Sequence, residues 1–266
     1  MEQKFIGIMA IALSFAACEQ VVDINLNETN PKIVIEANIH NNNDDCIVTI
    51  TRTGNYFFPY TPEKVSNAVI SLTNPFFQYS FSEIEGGVYR INKIDRLMPT
   101  SYTLSVKASG ELYEAVSVMP ASVRINYLNY EYVEKTYFQD AGYRVNYGLA
   151  DPKNEENYYR VRYFVNGKLQ NDGNDYYLIN DELFNGKSVQ MQLYGKRFDK
   201  GDTVAVELMS IDKNTYGYFN TFLEIISRSS IESAAPANPK SNLSNGALGY
   251  FSAYSSDTKQ IIIGGD

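Results

Sequence analysis

Short segments in which apolar and polar residues alternate recur from residue 32 onward, and they constrain the fold more than any other feature of the sequence. Residues 101–107 read Ser-Tyr-Thr-Leu-Ser-Val-Lys, and residues 203–209 read Thr-Val-Ala-Val-Glu-Leu-Met. A period of two puts every second side chain on one face, as in a half-buried β-strand. We predict strands at 33–39, 46–52, 69–73, 78–84, 88–91, 101–107, 112–118, 125–133, 144–149, 158–165, 168–170, 187–194, 203–209, 247–254 and 259–263. The pattern therefore predicts an all-β protein.

Glycine, proline and asparagine punctuate these segments at the spacing of a β-sandwich. Asn166-Gly167 stands between two extended runs, and both residues tolerate the positive φ angles of a type I′ hairpin turn. We predict an immunoglobulin-like β-sandwich over residues 31–120 and a second antiparallel β domain over residues 121–266.

One segment departs from the alternation and predicts a single helix at 214–228. Its apolar residues recur at helical spacing, and Asp212 or Asn214 is placed to cap the first turn. We interpret this apolar stripe as core packing against the second sheet rather than as a cofactor site.

Composition supports the β prediction and argues against one class of function. The chain has 22 Tyr, 14 Phe and no Trp, and both of the frequent aromatic types favour pleated, half-buried surfaces. Its formal net charge of −8 gives it no electrostatic attraction to phosphate backbones or anionic lipid heads. We therefore expect no nucleic-acid partner.

The N-terminus has the pattern of an export signal that ends at a cysteine. Lys4 precedes the uncharged, mostly apolar residues 5–17, which are too few to span a bilayer and suit a signal peptide. Ala16 and Ala17 directly precede Cys18, as in a bacterial lipobox, although Phe15 stands where an aliphatic residue is usual. We predict a signal peptide at 1–17, lipid attachment at Cys18 and a tether at 18–30. The alternative is a plain secretory signal, with Cys18 incidental.

The remaining residues with reactive side chains give no recognisable catalytic or metal site. We expect Cys46 to be a buried, inert thiol in a strand and His40 to be a surface loop residue. A single histidine excludes a His-rich metal site, and no Gly-x-Ser-x-Gly elbow is present. We expect no cofactor and no catalysis.

Acidic residues cluster in predicted turns, where they serve the backbone and stay solvated. The hydrolase alternative needs two carboxylates that face each other across a cleft. Calcium binding by Asp172 and Asp175 matches no loop template, so a hairpin tip is the favoured interpretation. The adjacent carboxylate pairs are Asp44/Asp45, Glu155/Glu156 and Asp181/Glu182.

Two aromatic clusters are candidate ligand contacts, because aromatic side chains on loops stack on sugars or grip peptides. Tyr56, Phe57 and Tyr60 lie in a long connection, and Tyr176 and Tyr177 follow a polar turn. The alternative for both clusters is packing in the core or at its rim.

Several short motifs, taken in their order and spacing, resemble the bacterial lipoprotein family of domain of unknown function 4249. Ala247 stands where glycine is usual before Leu-Gly-Tyr-Phe. The segments that carry the resemblance are 18–24, 31–37, 180–187, 200–206, 216–222 and 236–254.

The resemblance implies an outer-membrane lipoprotein that works beside a TonB-dependent receptor, and it supplies no catalytic residues. We therefore expect a lipid-anchored binding or accessory protein, exposed at the cell surface, whose partners are the membrane and a TonB-dependent nutrient transporter. A structural or adhesive surface protein is the alternative, and a carboxylate-based hydrolase is less favoured.

Overall fold

Seventeen strands and one α-helix make up the regular structure of the residues that the computed structural model describes, which are 31–41, 45–54, 61–91, 97–229 and 238–265. The prediction of an all-β protein is confirmed. The predicted signal peptide and tether, with Cys18, lie outside these residues. The strands are β1 Ile33–His40, β2 Cys46–Arg52, β3 Glu63–Lys64, β4 Val69–Thr73, β5 Gln78–Ser80, β6 Ser82–Glu85, β7 Val88–Ile91, β8 Ser101–Ala108, β9 Glu111–Val118, β10 Ile125–Val133, β11 Gly142–Ala150, β12 Tyr158–Val165, β13 Lys168–Leu169, β14 Tyr177–Asn180, β15 Ser188–Gln192, β16 Thr203–Ile211 and β17 Leu248–Ile262.

The strands form one large sheet and two smaller ones. The large sheet has the order β13-β12-β16-β17-β1-β2-β7-β6, with β14 also on β12 and β3 also on β2. One smaller sheet has the order β5-β4-β8-β9 and the other β10-β11-β15. Each smaller sheet shares a hydrophobic core with part of the large sheet, which gives a sandwich-like arrangement.

The last strand, β17, belongs to both halves of the large sheet. Its first half runs parallel to β1, from the pair Val34–Leu248 to the pair His40–Tyr254. Its second half runs antiparallel to β16, from Ser210–Ser255 to Thr203–Ile262. We predicted two strands here, at 247–254 and 259–263. That division is wrong, since the polar residues pair with β16 instead.

Two hydrophobic cores meet near the predicted domain boundary at residue 120. The first core takes residues from Ile33 to Met119 and adds Phe251 of β17, and the second begins at Val123. Residues 31–266 nevertheless form one compact unit. The assignment of two domains stays a prediction.

The helix α1, Lys213–Ser229, matches the predicted 214–228, and Asp212 caps it. The backbone N–H of Thr215 donates to Asp212 Oδ1 at 2.7 Å. The other carboxylate oxygen accepts hydrogen bonds from the Ser117 hydroxyl at 2.7 Å and the Val118 N–H at 2.9 Å. One side chain therefore starts the helix and ties it to β9.

His40 corrects the sequence prediction, because it is buried rather than a surface loop residue. It is the last residue of β1, and its ring centroid lies 5.3 Å from that of its strand partner Tyr254. The strand extends one residue further than its apolar alternation indicates, so the side chain is enclosed. Cys46 is buried as predicted, and burial raises the pKa of its thiol to about 11.

Candidate ligand-binding groove

A groove of about 320 Å³ opens where β14 and β15 lie beside helix α1. Among the described residues, its lining has no carboxylate, histidine, lysine or arginine, and its polar side chains are tyrosines and the amides of Gln192 and Asn220. We call it the tyrosine groove, after the lining residues Tyr147, Tyr176, Tyr177, Tyr194 and Tyr216.

A second, larger depression of about 760 Å³ runs along α1, and we call it the helix cleft. It shares Tyr176, Asn220 and Leu223 with the tyrosine groove, so the two adjoin. It also contains Glu224, whose carboxylate accepts a hydrogen bond from the Asn220 amide at 3.0 Å.

A short turn with an ionic anchor positions Tyr176 and Tyr177. Residues Gly173–Asp175 form a 3-10 turn directly before them. The buried Asp175 carboxylate accepts the Tyr163 hydroxyl at 2.6 Å and pairs with Lys196. Burial acts to raise the pKa of Asp175, but the hydrogen bonds from Lys196 and Tyr163 outweigh it and leave this pKa below its ordinary value. Asp175 is therefore a structural anchor, not the solvated hairpin tip that we predicted.

The two predicted tyrosines occupy different depths. The Tyr177 hydroxyl donates to the Tyr194 carbonyl oxygen at 3.0 Å, and burial raises the pKa of Tyr177 to about 12. The Tyr176 ring packs 5.3 Å from the Phe222 ring at the boundary with the helix cleft. Both tyrosines line the groove, and their contact with a ligand stays a prediction.

Three groove tyrosines were missed because no local pattern connects them. Tyr147 comes from β11, Tyr194 follows β15 and Tyr216 lies in the first turn of α1. Tyr194 is 69% exposed, and it forms the open rim. The other predicted aromatic cluster, Tyr56, Phe57 and Tyr60, lies outside the described residues.

An arginine beneath the groove wall contacts aromatic rings. The Arg160 guanidinium lies 3.9 Å from the Phe219 ring centroid and 5.4 Å from that of Tyr176. Burial lowers the pKa of this guanidinium. The cation therefore stabilises the packing of α1 on β12 through its contact with the rings.

The carboxylates of the predicted acidic pairs differ in burial and in ion pairing. Asp181 is buried, contrary to the prediction of a solvated turn, while its neighbour Glu182 is exposed. The turn folds back on itself through a hydrogen bond from the Phe184 N–H to the Asp181 carbonyl, which encloses the first carboxylate. Asp45 pairs with Arg90 at 3.0 Å and Glu156 with Lys213 at 3.2 Å.

The described part of the chain contains no group of three His, Cys, Asp or Glu residues that would hold a metal ion. Among the same residues, no helix combines the length and the apolar character that crossing a membrane requires.

Comparison with known families identifies the family of this chain. The family model described as Domain of unknown function (DUF4249) matches residues 19–260. This span contains the first core, the tyrosine groove and the second core except Ile261 and Ile263. The chain matches no curated protein.

Proposed function

This chain belongs to the family described as Domain of unknown function (DUF4249), and on that premise we propose that it is a lipid-anchored outer-membrane binding protein. It binds its ligand in the tyrosine groove and works beside a TonB-dependent nutrient transporter. Its body is exposed at the cell surface, and it performs no catalysis.

The tyrosine groove is the observation that carries this proposal. A ring that is 69% exposed, as Tyr194 is, contributes little to the core and leaves a face open for a ligand. Tyrosines combine a large contact area with a hydroxyl that forms hydrogen bonds, which is why they are frequent in binding sites. The lining offers no general acid, base or nucleophile of ordinary reactivity, which supports binding rather than catalysis.

The experiment is affinity purification of the full-length chain from outer membranes in a mild detergent. We expect a TonB-dependent receptor in the eluate, identified by mass spectrometry. A Tyr194→Ser variant serves as the matched control, because it changes the groove rim and should leave receptor recovery unaltered. Repeated recovery of the tagged chain without any receptor would contradict the transporter part of the proposal.

A surface protein that docks onto other proteins is the second candidate, and one feature favours it. Tyr137 and Phe138 lie at the tip of the β10–β11 hairpin and are 95% and 89% exposed. Exposed aromatic pairs are frequent centres of protein interfaces. If this candidate is correct, changing both residues to serine abolishes attachment to surfaces or cells, whereas the Tyr194→Ser variant attaches normally.

A further inference from the structure

We infer that the ligand of the tyrosine groove is an extended peptide, which adds as a strand to the outer edge of β14. This inference rests on the groove named in the proposed function and gives it a ligand class. Three features carry it, namely the free edge of β14, the similar edge of β15 and the uncharged lining between them.

The first feature is the edge of β14. This strand pairs with β12 from Tyr158–Asn180 to Val161–Tyr177, and no strand within the described residues pairs with its other side. In an antiparallel pair, alternate residues direct their N–H and C=O groups away from the partner. An edge strand therefore offers a row of backbone donors and acceptors to an incoming chain.

The second feature is that β15 is also an edge strand and reaches the same groove. Among the described strands it pairs with β11 alone, over Asn146–Gln192 to Ala150–Ser188. Residues Tyr177 to Ile179 of β14 and Met191 and Gln192 of β15 all line the groove. The two sheets of the second core thus end side by side at this opening.

The third feature is the rigidity of β14 as a template. Tyr177 and Ile179 pack against the second core, whereas Leu178 packs on the opposite face against Met209 and Tyr254. Because both faces are held by packing, the edge is preorganised, and binding costs less ordering of the protein.

The lining determines which peptides fit. The described residues that line the tyrosine groove carry no charge, so a charged peptide residue buried against them would be unpaired. The four residues of β14 span about 13 Å. A bound peptide longer than β14 would continue past Tyr176 into the helix cleft, where Glu224 provides a carboxylate. The site therefore suits an uncharged segment of about six residues, or about 20 Å.

A neutral oligosaccharide is the competing ligand, because it too would use tyrosine faces and amides. It has no regular row of amide groups that matches a strand edge. Protection of the β14 backbone amides therefore separates the two ligand classes.

The test uses the full-length protein in detergent micelles and measures hydrogen–deuterium exchange by mass spectrometry. The first probe is a pool of acetylated, amidated hexapeptides made of uncharged residues, and the second is maltohexaose. We expect the peptide pool to slow exchange in Tyr177–Asn180 by roughly tenfold, whereas maltohexaose has no effect there. The unmodified protein is used, so this readout does not depend on a variant that folds.

A fluorescence arm gives the affinity. The chain contains no tryptophan, so Tyr176→Trp places a single reporter in the groove. The matched reporter is Phe76→Trp, at a position that is 66% exposed on the turn between β4 and β5. A hexapeptide enriched from the pool should shift the emission of the first variant only. The same peptide with alternate amides N-methylated should bind roughly tenfold more weakly, because it loses the ladder hydrogen bonds.

Two results would overturn the inference. One is a pool that neither protects β14 nor shifts the Tyr176→Trp emission, and the other is a maltohexaose shift in that variant without peptide binding. Receptor recovery in the affinity purification does not depend on the peptide, so failure of this inference and failure of the transporter proposal are distinguishable.

Discussion

Gly249 shows how a single residue without a side chain permits the central parallel pairing. Its φ angle is +92°, and a Cβ atom there would lie 2.1 Å from the Ile35 carbonyl oxygen of β1. The positive φ angle and the close approach of β1 therefore explain why the Leu-Gly-Tyr-Phe motif has glycine at this position. Ala247, which departs from the family pattern, is buried without a positive φ angle, so an alanine is accommodated there.

We predict that Gly249→Ala lowers the free energy of unfolding by about 3 kcal/mol, because the strained backbone and the clash with Ile35 act together. Urea unfolding followed by circular dichroism measures this change. Gly217→Ala is the control, since a Cβ there meets nothing within 4 Å and alanine favours a helix by about 1 kcal/mol. Equal midpoints for the two variants would refute the explanation.

Asp175 gives the turn before the groove a dependence on pH. A carboxyl group whose pKa is lowered by folding stabilises the native state above its unfolded pKa, and this contribution is lost as the pH falls through the folded pKa. For Asp175, whose ordinary pKa is near 3.8, the loss occurs in acid below about pH 4.

We predict that Asp175→Asn destabilises the protein by about 2 kcal/mol at pH 7, because Lys196 loses its charged partner. The difference in free energy of unfolding between wild type and variant should become smaller as the pH falls from 5 to 3. Urea titrations at each pH measure this difference. A difference that stays constant over this range would show that the carboxylate charge is unimportant.

At the scale of elements, the helix cap joins α1 to a strand of the first sandwich-like half. Asp212 caps α1, and it also accepts hydrogen bonds from β9 of the first sandwich-like half. We predict that Asp212→Ala costs about 2 kcal/mol of stability, more than a cap alone, because the Ser117 and Val118 donors also lose their acceptor. The melting temperature in thermal unfolding measures this loss of stability. Asn214→Ala, at the other predicted cap position, should change the melting temperature little.

Alternation with a period of two was sufficient to predict many elements from the sequence. It reproduces the observed bounds of β2, β4 and β12, since each has one face in a core. It failed at β14, whose four residues are all half-buried because both of its faces are packed. It also failed along β17, where polar residues pair in the ladder instead of turning the chain.

Two of the five groove tyrosines were predicted from the sequence and three were missed, for a related reason. Tyr176 and Tyr177 follow a polar turn that is visible in the sequence. Tyr147 and Tyr194 reach the groove through the pairing of β11 with β15, and Tyr216 through the docking of α1. Those contacts join residues far apart in the chain, and no local periodicity encodes them.

At the scale of the whole molecule, the proposed lipid anchor would hold the groove at the membrane. We predict that Cys18→Ser abolishes incorporation of radiolabelled palmitate and moves the protein from the membrane to the soluble fraction, because this thiol is the proposed site of acylation. Cys46→Ser is the matched control, since that thiol is buried and should leave both readouts unchanged. Unaltered labelling of the Cys18→Ser variant would refute the lipoprotein assignment.

The pairing of β1 with β17 also has a mechanical consequence. The chain leaves residue 31 directly into β1, which lies between β17 and β2. A pull on the N-terminus acts along the strand axis, so seven residue pairs with β17 and six with β2 resist it together, in shear. In the proposed anchored protein, the two ladders would resist such a force together, so β1 would detach in one step instead of one residue pair at a time.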